Sequence, residues 1–192
     1  AERIKDGKSF AIKICSPDLS DNMDEEGRFR FIREAEVLSL LKHTHIVKLE
    51  EFSFCNDTRR FYIVMEYIRG KTVQDIVMKH TFLPEANSAA IAISVLKALE
   101  YTLKKGIIHR DIKPANLMID RESNKVKVMD FGLAKILDQS YSLSGQLLGT
   151  PCYMPPEQVE DSTRVDHHAD IYAVGATLYY MLTGHRPYEE YQ

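Results

Sequence analysis

Apolar residues recur along the chain with two different periods, and the change from one to the other marks out the elements. Phe10-Ala11-Ile12-Lys13-Ile14 is rich in strand formers and follows the turn-like run Lys5-Asp6-Gly7-Lys8, which predicts an N-terminal hairpin whose second strand carries Lys13. The polar stretch from Ser16 to Gly27 reads as a loop. Beyond it Phe31, Ala35, Leu38 and Leu41 fall at helical spacing with Glu34 beside that stripe. Ile46–Phe54 and Arg60–Tyr67 read as two strands joined by the turn Cys55-Asn56-Asp57-Thr58, and Gly70 releases the chain into a mainly helical half. Pro84 suits the first turn of a helix running to about Lys105, with Gly106 ending it and two lysines facing the C-terminal dipole. Short strands are expected around Leu117–Ile119 and Val126–Met129, then a Ser/Gly-rich loop. The boundary between the halves falls near Glu66 to Lys71, which divides the chain into residues 1–68 and 69–192.

Composition narrows what this alternation of strands and helices can serve. A chain of 192 residues with 44% hydrophobic and 28% charged residues has the makeup of a folded globule. A net charge of −3 provides no basic footprint for nucleic acid or an anionic membrane, so any phosphate has to be held by a local site. The longest apolar run, Ile171–Leu182, is shorter than the roughly 20 residues a bilayer span needs and predicts a helix buried on all sides. Cys15, Cys55 and Cys152 are widely spaced, which points to free thiols in a reducing compartment and away from a structural zinc site.

The polar residues concentrate where phosphoryl transfer would want them. That reaction needs cations on the phosphates, oxygen ligands for magnesium and a carboxylate to orient the attacking hydroxyl. His109-Arg110-Asp111-Ile112-Lys113-Pro114-Ala115-Asn116 offers a carboxylate, a lysine and an amide oxygen within one loop, and Asp130-Phe131-Gly132 closes the next hairpin. Together with Ala11-Ile12-Lys13, Glu34 and Pro156-Glu157, in this order, the set resembles the signature of eukaryotic-type (Hanks-type) protein serine/threonine kinases. Single motifs of this kind are weak, but six in register from residue 11 to residue 157 are specific, and the likeness covers essentially the whole chain.

The resemblance implies an α+β, bilobal protein kinase-like fold with a small antiparallel sheet and one helix in the first lobe and a mainly helical second lobe. It implies ATP and Mg²⁺ as cofactors and protein Ser/Thr hydroxyls as substrate. Lys13 would contact the α and β phosphates and pair with Glu34; Asp111 would be the base or hydroxyl-orienting carboxylate, with Lys113 near the transferred phosphate. Asn116 would bind one magnesium and Asp130 both. Met65-Glu66-Tyr67-Ile68 stands at the hinge position, where the backbone of Glu66 and Ile68 would meet adenine, Met65 would guard the rear pocket, and Ala11 and Met118 would sandwich the ring. His109 and Phe131 are expected to join a stacked apolar column with Leu38 and Leu49 and take no part in the chemistry. Asp170 would tie the late helix to the catalytic loop, while His167 and His168 beside it are expected to face solvent. Lys113 next to Asp111, and Thr150 in Gly149-Thr150-Pro151, follow the serine/threonine pattern and not the tyrosine one.

Regulation is read from the same likeness. Arg110 sets a guanidinium beside the activation loop and Lys135 can join it as a phosphate receptor, opposite acceptors that include Ser140, Tyr141, Ser142 and Ser144. Gln146 stands where many of these kinases carry a phosphorylated threonine, so the burden moves to Ser142 and Ser144, whose spacing matches bacterial receptor-type kinases; autophosphorylation through self-association is expected. Pro155 replaces the usual alanine before Pro156-Glu157. The likeness starts beyond the glycine-rich loop and stops before the last helices, which leaves Glu157 without its usual distant arginine and implies a catalytic domain cut at both ends, with weak or no turnover as it stands. A pseudokinase or scaffold is the alternative, and a small-molecule phosphotransferase of related fold a third reading. The expected location is cytoplasmic, with the cytoplasmic domain of a larger, membrane-attached protein as an open alternative.

Overall fold

The computed structural model describes residues 1–15, 25–136, 151–161 and 165–189. Strand β1 (Phe10–Ile14) pairs antiparallel with β3 (Arg60–Glu66), which pairs on its other edge with β2 (Leu49–Cys55), giving the order β1-β3-β2. Helix α1 (Glu25–Leu40) lies against this sheet, and Phe31 and Ala35 bury with Cys15 and Ile63 in a small core of their own. The N-terminal hairpin is reduced to a single bridge, Glu2 to Ser9, around Gly7, whose positive φ suits the turn.

The expected strand from Ile46 starts only at Leu49. Ile46 instead makes a parallel bridge to Val128, with the Val47 N–H donating to the Val128 carbonyl and the Val128 N–H to the His45 carbonyl. Residues 45–47 thus run along a strand of the second half, an attachment that local propensity cannot show because its partner is some eighty residues away. The other strand ends at Glu66, not Tyr67.

The second half opens with β4 (Gly70–Thr72) and α2 (Val73–His80), started by a capping box in which the Thr72 hydroxyl accepts from the Asp75 N–H and the Asp75 carboxylate accepts from the Thr72 N–H. Helix α3 (Glu85–Leu103) follows Pro84, and β5 (Ile107–Ile108), β6 (Leu117–Asp120), β7 (Val126–Val128) and β8 (Lys135–Ile136) supply two small antiparallel sheets, β4-β6-β7 and β5-β8. The short α4 (Pro156–Glu160) and the longer α5 (His168–Thr183) complete the described elements. One apolar core joins α1, α3, α5 and β7 through Leu38, Val95, Phe131, Val128 and Met181.

Helix α5 departs from its expected enclosure on all sides. Ala173, Val174, Thr177 and Met181 are buried, but Ile171, Tyr179 and Leu182 are exposed, so one stripe is open. Of the cysteines, Cys15 and Cys152 are buried, Cys55 is partly so, and all three are free. No described helix is long and apolar enough to cross a membrane.

Candidate active site

Alternation along β1 turns Ala11 and Lys13 toward the interior side while Ile12 and Ile14 stay exposed. Burying Phe31 and Ala35 rotates the intervening Glu34 inward, where its side chain is almost wholly enclosed. Lys13 Nζ meets Glu34 Oε2 at 2.5 Å and lies 3.4 Å from Asp130 Oδ1. One ammonium is therefore shared by carboxylates from a helix and from a loop of the other half. Burial pulls the Lys13 ammonium down, but the Glu34 and Asp130 carboxylates outweigh it and hold its pKa above the ordinary value. Burial lifts the Glu34 carboxyl above the usual range, against the pull of Lys13.

The segment after β5 is fixed from below. Asp170, buried at the start of α5, accepts the His109 N–H on Oδ2 and the Arg110 N–H on Oδ1, each at 2.8 Å. Burial still pushes its carboxyl upward despite these donors. The His109 ring is fully buried against Phe131, centroids 4.5 Å apart; its Nε2–H donates to the Met129 carbonyl at 3.0 Å and its Nδ1 accepts the Asp111 N–H at 3.2 Å. These two bonds place the ring proton on Nε2. Leu38 is buried in the same core, with Leu49 packed against it.

Arg110 then takes a left-handed φ of 67° and turns the chain so that Asp111 faces the cleft. Lys113 Nζ reaches both Asp111 oxygens, at 3.0 and 2.8 Å. Asn116, in a 3₁₀ turn begun by Pro114, donates its amide Nδ2 to the Asp111 carbonyl at 2.8 Å and to Asp111 Oδ2 at 2.9 Å. With the amino group so used, Oδ1 is the atom Asn116 can offer to a cation. Asp130 has a φ of 61°, and its half-exposed carboxylate stands beside Lys13. An acceptor amide and an open carboxylate are hard-oxygen donors suited to Mg²⁺, and the residues fit the group the sequence implies.

Lys13, Glu34, Asp111, Lys113 and Asp130 line one cleft of about 370 Å³ together with Arg30, which sequence reading passed over; Asn116 is buried and joins them through its bonds to Asp111. Its signal was present: Arg30 sits four residues before Glu34 and shares its helix face. A larger groove, about 800 Å³, runs between α5 and residues 185–189, where Tyr172 and Tyr188 hydroxyls meet at 3.2 Å; none of the phosphoryl-transfer candidates lines it.

At the hinge, the Glu66 N–H donates to the Lys48 carbonyl and the Ile68 carbonyl accepts from the Gly70 N–H, both at 3.0 Å. Met65 lies opposite Ala11 on the sheet, half-buried, and Met118 on β6 is half-buried against the main core. The Glu66 side chain, unremarked in the sequence, accepts from the Lys48 N–H at 2.8 Å and from Lys127 Nζ at 2.6 Å.

Arg110 and Lys135 do come together: Lys135 pairs with Ile108 in the β5-β8 sheet, and burial with the neighbouring Arg110 charge lowers its pKa. Burial likewise lowers Arg110, with Asp170 opposing. Ser140, Tyr141, Ser142, Ser144, Gln146, Gly149 and Thr150 lie outside the described residues. Glu157, in the first turn of the short α4, is solvent-exposed. His168 is exposed and His167 partly so; their ring nitrogens and the exposed Asp166 carboxylate lie within 4.8 Å of one another at the start of α5.

The protein kinase domain family model matches residues 1–192. Among curated proteins, the chain is 41% identical over 192 residues to the probable serine/threonine-protein kinase PknB of Bifidobacterium longum, covering 95% of this chain and 27% of that protein. It is 40% identical to the serine/threonine-protein kinase pkn3 of Myxococcus xanthus, over 98% of this chain and 35% of the relative. The serine/threonine-protein kinase PknB of Mycobacterium leprae is 37% identical over 98% of this chain and 30% of its own length. The chain thus spans about a quarter to a third of the relatives it matches.

Proposed function

Because the chain belongs to the protein kinase domain family, matched from residue 1 to residue 192, we propose that it is the catalytic part of a protein serine/threonine kinase that moves the γ-phosphoryl of ATP to protein Ser or Thr hydroxyls. The observation that carries this reading is the Lys13 ammonium held between Glu34 and Asp130 across a cleft from Asp111, Lys113 and Asn116. Phosphoryl transfer is won by positioning and charge neutralisation, and here every charged group is already held by a partner that fixes its direction.

In this reading Lys13 takes the α and β phosphates and Glu34 keeps its ammonium from folding away. Asp111 accepts a hydrogen bond from the substrate hydroxyl on the oxygen edge not committed to Asn116, and takes its proton as the hydroxyl oxygen bonds to the γ-phosphorus and the bond from that phosphorus to the bridging oxygen breaks, with ADP leaving. Lys113 then turns from Asp111 to the transferred phosphate. Mg²⁺, when bound, would supply charge neutralisation at the phosphates from Asn116 Oδ1 and the Asp130 carboxylate. The adenine edge meets the Glu66 carbonyl and the Ile68 N–H, between Ala11 and Met118, with Met65 behind. Arg110 and Lys135 receive a phosphate from the activation loop, with Ser142 and Ser144 its proposed acceptors and Thr150 bracing the substrate segment. The reaction belongs in the cytoplasm, where ATP is.

The test is transfer of labelled γ-phosphate from Mg-ATP to a generic Ser/Thr substrate by the full-length protein that carries this chain, with Asp111→Asn and Lys13→Met beside it. Transfer lost in both variants supports the reading. Nucleotide binding with no transfer by the unaltered protein overturns it in favour of a scaffold. An intact mass unchanged after Mg-ATP would remove autophosphorylation alone.

A further inference from the structure

The two ends of the cleft are held by different halves of the chain, and one ion pair joins them from behind. Glu66 is the last residue of β3, at the proposed adenine end; Lys127 lies on β7, three residues before Asp130 at the proposed phosphate end. Lys127 Nζ is 2.6 Å from Glu66 Oε1 and 3.4 Å from the Ile46 carbonyl, and its side chain is only 13% exposed. The same Glu66 oxygen accepts the Lys48 N–H at 2.8 Å. Next to Lys127, Val128 exchanges backbone hydrogen bonds with His45 and Val47, so the first half is stitched to β7 beside the pair.

We infer that Glu66 and Lys127 form a positioning pair that sets the distance between the adenine edge and the phosphate-binding groups, so that nucleotide affinity depends on it though neither charged group touches the nucleotide. This rests on the kinase reading. The physical argument is directional. A surface ion pair between two long, mobile side chains fixes little. Here both partners are held at their roots by strand pairing, Glu66 Oε1 is aimed by the Lys48 N–H, and Lys127 has a carbonyl as well as a carboxylate to meet. Losing the ammonium would leave the Glu66 carboxylate with the Lys48 N–H as its donor and remove the side-chain contact that ties the last residue of β3 to β7. That residue presents the carbonyl proposed for adenine, while β7 would keep Asp130 where it is. The spacing of the two ends would then be less tightly set, and a ligand spanning both would bind an ensemble in which only a fraction is correctly spaced.

The experiment uses the full-length protein and a fluorescent ATP analogue, read by titration, with KM for ATP and kcat measured in parallel and thermal melts run on every variant. Lys127→Met, which keeps the stem and removes the charge, is expected to weaken nucleotide binding by roughly three- to tenfold and to raise KM while kcat changes by less than about twofold. Lys127→Arg should restore affinity to within about twofold. Glu66→Gln combined with Lys127→Met should be no worse than Lys127→Met alone, since the two act through one contact. Equal nucleotide affinity in Lys127→Met and the unaltered protein would overturn the inference, as would a lower melting temperature with affinity unmoved, which marks a purely structural pair. If the unaltered protein itself binds no nucleotide, the kinase reading fails, and that outcome is separate from failure of the pair.

Discussion

Replacing Asp170 by Asn tests whether the catalytic segment is held from beneath as the geometry requires. The carboxylate accepts two backbone N–H groups, from His109 and Arg110, at 2.8 Å each. Asn is the same size, but it offers one oxygen and turns an amino group toward the second N–H. One charge-assisted bond, worth about 1.5–3 kcal/mol, is lost outright and the other drops to a neutral bond worth about 1 kcal/mol less. Set against this is relief from burying a full charge, which already pushes the Asp170 carboxyl upward. The net loss should be about 2–3 kcal/mol, a shift of roughly 1 M in the urea midpoint at a slope of 1–3 kcal/mol/M. The chain has no tryptophan, so far-UV circular dichroism is the practical probe. Arg110, released from its left-handed φ, would carry Asp111 away from Lys113 and Asn116, and kcat should fall with stability. A midpoint that moves by less than about 0.3 M at unchanged slope would refute the reasoning, because two buried donors cannot lose their acceptor at no cost.

Other expectations follow from the same geometry. Lys13→Met should lower kcat/KM by at least about 100-fold with the far-UV spectrum close to that of the parent, and the melting temperature should fall because the enclosed Glu34 carboxylate loses its ion-pair partner. Because burial raises the Glu34 carboxyl in the folded chain, that chain keeps the proton to higher pH than the unfolded one. The stabilising contribution is complete below the ordinary glutamate pKa of about 4.3 and is lost as pH rises through the folded value. Melting temperatures of the parent minus those of Glu34→Gln should therefore fall between pH 4 and pH 7, and a difference that rises would show that attraction to Lys13 outweighs burial. Gly184 caps α5 with a φ of 76°, and an added Cβ would sit 2.0 Å from the Thr81 carbonyl oxygen. Gly184→Ala should cost about 2 kcal/mol or more in a urea melt, with Thr183→Ala as the neighbouring control.

How far the sequence spoke for itself depends on whether a feature is local. The stripe Phe31, Ala35, Leu38 gave α1 and put Glu34 on its inner edge, and Pro84 with Gly106 bracketed α3, because caps and periodicity are written in neighbouring residues. The cluster of Asp111, Lys113, Asn116 and Asp130 was legible as a motif set, and the structure brings Asp111, Lys113 and Asp130 to one cleft with Asn116 bonded to Asp111. What escaped was decided at long range. Ile46 reads as a strand residue and pairs instead with Val128; Lys135 and Ile136 become a strand only because Ile107 and Ile108 are there to receive them. Glu66 was read for its backbone, and nothing near it in sequence announces Lys127. The open stripe on α5 was missed because a uniformly apolar run does not say which side meets solvent.

Arg110 and Asp130 both stand in the left-handed region, where a side chain costs about 1 kcal/mol or more and glycine costs nothing of the kind. The two positions that aim the candidate chemistry are thus positions where the backbone, left to itself, would favour glycine. A variant library sorted only for resistance to heat should be drawn to glycine at 110 and 130, and the survivors would be sturdier proteins with the guanidinium beside Lys135 or the carboxylate of the cleft gone. In this chain thermal robustness and chemical competence pull on the same two residues in opposite directions.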